Sequence, residues 1–290
     1  MKRKITKVLI LLSIFSFTST FYSQDSAGYD PLFNSRSRIT NKEPYNTDIR
    51  LFRCINNNRT GFLNTSLTVT DYSVFPLAVI LPVSMFAYGR TKDRTYDENT
   101  GVLIALSEAG SVALTTGLKF LIKRPRPYIT LSNVHVKKGI LSDPYSFPSG
   151  HTSTAFSIAT ELALRYPKYP QVYVPAYIWG LIVGYGRIYF GMHYPTDVLG
   201  GAVVGSLSAI GIYSLRTEIF KFKNRVLGEE NKPDVNKYNA KSIGIISSSF
   251  ILTLGLNEFL LKSFSKLNLD FEPFTPSGND GINCYVKYSF

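Results

Sequence analysis

Apolar residues along the chain gather into five long stretches, Ser73–Gly89, Val102–Ile122, His151–Leu164, Val172–Tyr185 and Val198–Leu215, with a weaker sixth at Ile243–Leu261. At about 1.5 Å per residue, the run from Val102 to Ile122 reaches roughly 30 Å, the depth of a bilayer core. The third and fourth are shorter and need their flanking Tyr and Arg residues to complete a crossing. Pro76 and Pro82 inside the first would break a soluble helix but are tolerated in a membrane helix. The fifth is crowded with small residues, Gly200, Gly201, Ala202, Gly205, Ser206, Ser208 and Gly211, as close helix packing in lipid demands. The pattern predicts an all-α fold, a multi-span helical bundle over 72–216.

The flanks read differently. Lys2, Arg3, Lys4 and Lys7 precede an apolar run from Val8 to Phe17 and a small-residue segment, so 1–23 reads as a signal peptide or short anchor. The chain beyond it is then exported: 24–71 is a polar segment whose Ile49–Ile55 patch predicts an amphipathic helix, lying on a membrane surface or packed on protein. A basic loop is expected over 217–242 and a sixth span over 243–261. In 262–290, alternating residues after the Gly278–Gly281 turn predict a short C-terminal β-hairpin. Charges at Asp93, Arg94, Arg165, Lys168 and Arg216–Lys241 would share one face, taken as cytoplasmic.

Composition narrows the class. The 290 residues carry 20 Phe and 19 Tyr, too many for disorder, and two cysteines, too few for a disulfide scaffold. Cys54 and Cys284 are expected unpaired. The net charge of +12 favours anionic partners. A mean hydropathy of only +0.03 is low for six spans and keeps a soluble exported alternative open.

Polar residues at the ends of the stretches fall into three clusters: Lys119 to Arg126-Pro127, Pro148-Ser149-Gly150-His151, and Arg187 to His193 and Asp197. If successive stretches alternate in direction, all three meet at one membrane face. Between Lys119 and Asp197 there are nine Lys and Arg against three acids, an inventory suited to an anion and poor in ligands for divalent metals. Lys119, Arg126 and Arg187 would supply positive charge to phosphoryl oxygens, and Ser149 with the Gly150 backbone neutral donors at a helix start. His193 lies four residues before Asp197, close enough for the carboxylate to orient the ring and leave one nitrogen free to attack phosphorus. His151 becomes the proton donor. Two other polar residues stay outside this set: His135 is expected in a loop, and Glu108, on the same helix face as Lys119, as a buried packing partner.

The spacing Lys-x6-Arg-Pro, Pro-Ser-Gly-His and Arg-x5-His-x3-Asp resembles the type 2 phosphatidic acid phosphatase superfamily over about Leu51 to Leu215. That superfamily also contains class A acid phosphatases and vanadium haloperoxidases, and Gly191–Gly201 is similar to its membrane-embedded branch. The resemblance implies a helical bundle, a phosphohistidine on His193, leaving-group protonation by His151, and phosphate binding by Lys119, Arg126, Ser149, Gly150 and Arg187. Gly186 departs from the usual Ser before the third-motif Arg, which removes a hydroxyl. The expectation is a metal-independent phosphatase acting on a lipid phosphate or pyrophosphate, with no cofactor and no nucleic-acid partner. Its setting would be multi-pass in the cell membrane, with the site on the exported side. The alternatives are a soluble acid phosphatase on small phosphomonoesters, a vanadium haloperoxidase, and a non-catalytic lipid-phosphate binder.

Overall fold

The computed structural model describes residues 46–137, 143–230, 232–235 and 240–266. Through them run helices α1 (Thr47–Asn56), α2 (Gly61–Thr91), α3 (Thr95–Ile122), α4 (Pro127–Thr130), α5 (Gly150–Arg165), α6 (Pro170–Tyr189), α7 (Pro195–Ser214), α8 (Arg216–Leu227) and α9 (Ala240–Lys266). The fold is all-α among the described residues, and local chemistry sets many of the helix ends. Asn46 caps α1 by accepting from the Ile49 amide at 2.8 Å, and Thr60 caps α2 by accepting from Leu63 at 3.2 Å. Prolines open α4, α6 and α7, where the missing N–H costs nothing. Pro76 and Pro82 lie within α2, which continues through both.

α5 is the axis of the bundle, packed on α3, α6 and α7, while α9 packs against α2. Two glycines let α7 press onto α5: a Cβ on Gly201 would come within 2.5 Å of the Ser149 carbonyl, and one on Gly205 within 2.0 Å of the Ser153 carbonyl. The obstacle is backbone on a packed helix, so it has no easy way to yield. Gly205→Leu is therefore expected to destabilise the fold by at least about 2 kcal/mol and to lower the melting temperature in detergent. An unchanged melt would show that the helices do not approach this closely.

A polar seam runs through the otherwise apolar interior of the bundle, and the outer face is apolar as well. Ser107, Ser111, Thr115, Ser153, Ser157 and Ser208 are buried along the α3–α5–α7 seam, where Ser111 and Ser153 share a hydrogen bond of 2.5 Å and Ser208 donates to the Ser107 carbonyl at 2.7 Å. Leu199, Val203 and Leu207 of α7 and Ile178, Leu181 and Ile182 of α6 face outward, exposed. Such an apolar outer face is unlike that of a water-soluble helix bundle. α2, α3 and α7 are long and apolar enough to cross a bilayer. Together with the outward belt, they make this a membrane protein. α5 has 16 residues and α6 contains four tyrosines, and neither reaches that apolar length.

The structure corrects several expectations. The helix of the first apolar stretch begins not near Ser73 but at Gly61, so Asp71, just outside the expected bundle, lies within α2. Of the two readings of the Ile49–Ile55 patch, packing on protein is the one seen: Ile49 and Phe52 are buried against Leu131, Ile188 and Tyr194. The expected basic loop contains α8, ended by Gly228 in the left-handed region at φ 64°. Lys223 of α8 is buried and donates to Glu98 at 2.7 Å, and Arg165 pairs with Asp234 at 2.7 Å, so the charges there fasten α8 and the chain after it to the bundle. The sixth stretch is helical and lies within the 27-residue α9, Ala240–Lys266. Glu108 is buried as expected, yet its Oε1 has no hydrogen-bond partner among the described residues. Cys54 is exposed. The signal-like segment, Cys284 and the expected hairpin lie outside the described residues.

Candidate active site

Antiparallel helices bring the three clusters together, as the alternating directions require. The Ser149 amide at the start of α5 donates to the Asp197 carbonyl on α7 at 2.9 Å, and the amides of Met192 and His193 turn back to the Arg187 carbonyl at 3.1 and 3.3 Å. That last turn depends on Gly191, whose φ of 71° is left-handed and whose Cβ would sit 2.7 Å from the His135 carbonyl. Beyond it, His193 is buried at the end of the loop.

The orientation of His193 is fixed at both nitrogens. Nδ1 lies 2.7 Å from the Ser146 carbonyl, which only accepts, so Nδ1 carries the hydrogen and Nε2 the lone pair. Nε2 faces Nη1 of Arg126 at 3.2 Å. Burial, with Arg126, Arg187 and Lys119 nearby, holds this imidazole well below its usual pKa, which favours the neutral ring. Here the structure corrects the role expected of Asp197. Its Oδ2 is 3.8 Å from His193 Nδ1, and the carboxylate instead accepts from the Tyr194 amide and from Arg124 Nη1, each at 2.7 Å. Asp197 stands in the first turn of α7, where an acid is drawn to the free amides of the helix start. The Ser146 carbonyl makes the orienting contact in its place.

Around Nε2 stand the cations. Arg126 donates to the Met192 carbonyl at 3.1 Å and to Asp143 Oδ2 at 3.0 Å, and Lys119 donates to both Asp143 oxygens, at 2.9 and 3.0 Å, and to the Tyr145 carbonyl at 2.8 Å. Although burial opposes ionisation, Arg126 and Lys119 hold the Asp143 carboxyl below its usual range. Arg187 donates through Nη1 to Asp71 at 2.6 Å, while its buried Nε has no partner among the described residues. Ser149 Oγ and Thr152 Oγ1 are 2.9 Å apart at the start of α5, next to Gly150. His151 packs its ring edge-on against Phe75, with centroids 4.8 Å apart. Asp143 thus links Lys119 to Arg126 beside His193, Asp71 links Arg187 to His151, and Ser149 and Gly150 stand at the adjoining start of α5, with Asp197 set back from them.

Four contributors escaped the sequence reading. Asp143 was one of only three acids in a cationic segment, which was its signal. Arg124 ties Asp197 to Asp48 of α1, with Nη2 at 2.6 Å from Asp48. Lys137, 3.6 Å over the Tyr72 ring, donates to Asp71 at 3.1 Å, and Asp71 in turn pairs with Arg187. His135 is in a loop, as expected, held by Asn56 through its carbonyl at 2.9 Å and its amide at 3.0 Å.

A family model described as PAP2 superfamily matches residues 100–221. Undecaprenyl-diphosphatase BcrC of Bacillus subtilis (strain 168) is 31% identical over 136 residues, 47% of this chain and 65% of that protein. Phosphatidylglycerophosphatase B of the same organism is 31% identical over 171 residues, 56% of this chain and 77% of that protein. A solved structure, LpxE of Aquifex aeolicus, is 30% identical and covers 59% of this chain and 98% of its own, with a TM-score of 0.48. On the family match, the likeness to phosphatidylglycerophosphatase B and the three motifs gathered round His193, the chain belongs to the PAP2 superfamily, the family of these phosphatases.

Proposed function

We propose that the protein is a metal-independent phosphatase that removes phosphate from a lipid phosphate or pyrophosphate through a phosphohistidine on His193. The observation that carries this reading is the locked tautomer: Nδ1 donates to the Ser146 carbonyl while Nε2 points its lone pair at the guanidinium of Arg126. A phosphoryl group bound there meets its nucleophile and its charge stabiliser together. Arg126, Lys119 and Arg187 offset the charge on the equatorial oxygens, and Ser149 and the Gly150 backbone add neutral donors. Nε2 attacks phosphorus, the bond to the leaving oxygen breaks, and His151 supplies the proton. Water then cleaves the phosphohistidine, with His151 taking a proton back. Asp197 serves by capping α7 and anchoring Arg124, which keeps the loop carrying His193 in place.

An amphiphilic substrate suits the apolar outer face of α6 and α7, which keeps a lipid tail in the bilayer while the headgroup enters. That belt also speaks against the soluble alternative. Relatives named as an undecaprenyl-diphosphatase and a phosphatidylglycerophosphatase support a lipid-linked phosphate or diphosphate. The signal-like start assigns the chain after it to the exported side, and α1 is tied to the site end through Asp48 and Arg124, which favours a multi-pass protein of the cell membrane whose site opens to the exported side.

The test is phosphate release from a panel of lipid phosphates and diphosphates in detergent, with and without EDTA. Turnover of at least one amphiphile, unchanged by the chelator, is expected, because the groups facing Nε2 are cations that repel a metal ion. No release from any member between pH 5 and 8 would leave only a binding role, and loss of activity with EDTA would overturn the metal-free mechanism.

A further inference from the structure

Asp71 belongs to none of the three motifs, yet its buried carboxylate joins the groups they supply. Oδ1 accepts from Arg187 at 2.6 Å and stands 3.9 Å from His151 Nε2, and Oδ2 accepts from Lys137 at 3.1 Å. One turn further along α2, Phe75 meets the His151 ring edge-on. A single helix thus supplies both a wall and a countercharge to this histidine. The charged groups facing His151 are Arg187 from α6, Lys137 and Arg126 from the loop segments, and Asp71 from α2. Three are cations, and a proton on His151 is repelled by all of them. Asp71 is the one anion in that set. It also engages Nη1 of Arg187 and leaves Nε, buried without a partner among the described residues, as a donor for a phosphate oxygen.

We propose that Asp71 is a positioning residue for the leaving-group acid, holding the His151 ring in register with Arg187 and offsetting the cations that oppose a proton on that ring. This rests on the phosphatase reading of the site. In the first half-reaction the proton passes from the His151 ring to the oxygen whose bond to phosphorus breaks. In the second it returns from the attacking water. Asp71 stays ionised throughout and touches neither substrate nor phosphorus.

Two readouts test it, one of them independent of turnover. In protein labelled at its three histidines, NMR titration in detergent follows the His151 ring, assigned by the signal lost in His151→Gln. Asp71→Asn keeps the side chain's shape and removes its charge. It is expected to lower the His151 titration point by about one pH unit, the effect of losing a close carboxylate. The basic limb of the kcat/KM profile should move down by the same amount, and kcat/KM at pH 7 should fall about 10-fold or more. Asp71→Glu should return the limb towards its wild-type position. Should Asp71→Asn not fold, Asp71→Ser is titrated in its place. A His151 titration point and basic limb that stay put while activity falls would reduce Asp71 to a structural residue and overturn the proposal. If the wild type hydrolyses no lipid phosphate, the phosphatase reading fails on its own, and the NMR shift still decides the coupling between Asp71 and His151.

Discussion

His193→Gln is expected to lower kcat/KM by about 10⁴-fold or more, because in the proposed mechanism it removes the group that forms the bond to phosphorus. Gln is the informative substitution: its amide can still donate to the Ser146 carbonyl that holds Nδ1 at 2.7 Å, so the loop after Gly191 has reason to keep its course. Removing the imidazole leaves Arg126, Lys119 and Arg187 unchanged. Inorganic phosphate should therefore still bind, at an affinity within several-fold of wild type by calorimetry. Loss of turnover with binding kept is the signature of a missing nucleophile. Loss of both would indicate a collapsed pocket, and wild-type rates would refute the assignment.

Arg126→Ala is expected to cost about 10²–10³-fold in kcat/KM, the range for removing one preorganised donor from a buried oxyanion site. Arg126 contacts the Nε2 face of His193, braces the Met192 carbonyl and pairs with Asp143. Its loss deprives the phosphoryl oxygens of a guanidinium fork. It also leaves Asp143 opposed only by Lys119, so a carboxylate now faces the incoming anion. Phosphate affinity should fall along with turnover, unlike the His193 result. Arg126→Lys should restore only part of the activity, since an ammonium cannot make the paired contacts. Adding Asp143→Asn to Arg126→Ala should recover phosphate binding by relieving the repulsion. No recovery in that double variant would show that Asp143 acts only as a support for the loop.

The three motifs were legible because each is a short contiguous run whose residue types are read directly, and because apolar stretches of span length force their ends to alternate between two faces. The Gly-rich α7 was legible too, through small residues that permit the approach to α5 now seen at Gly201 and Gly205. What escaped has physical causes. The contact that orients His193 comes from the Ser146 carbonyl, and a backbone oxygen leaves no trace in residue type. The i, i+4 spacing of His193 and Asp197 suggested a direct bond, but at a helix start the amide of Tyr194 lies nearer the carboxylate and takes it. Asp71 follows a polar run before the first apolar stretch and read as the end of a segment. Only the extension of α2 back to Gly61 brings it against Arg187 and His151. In Arg216–Leu227, high charge concealed a helix whose Lys223, Asn224 and Leu227 are buried.

The most direct measurement is a trapping experiment with the best substrate of the panel, labelled with ³²P on the scissile phosphate. The reaction is quenched in alkali within milliseconds to seconds, digested, and mapped. The expected result is an acid-labile, alkali-stable phosphopeptide containing His193, formed before product accumulates and absent from His193→Gln. Label on any other residue, or full turnover by His193→Gln, would contradict a phosphohistidine at this position.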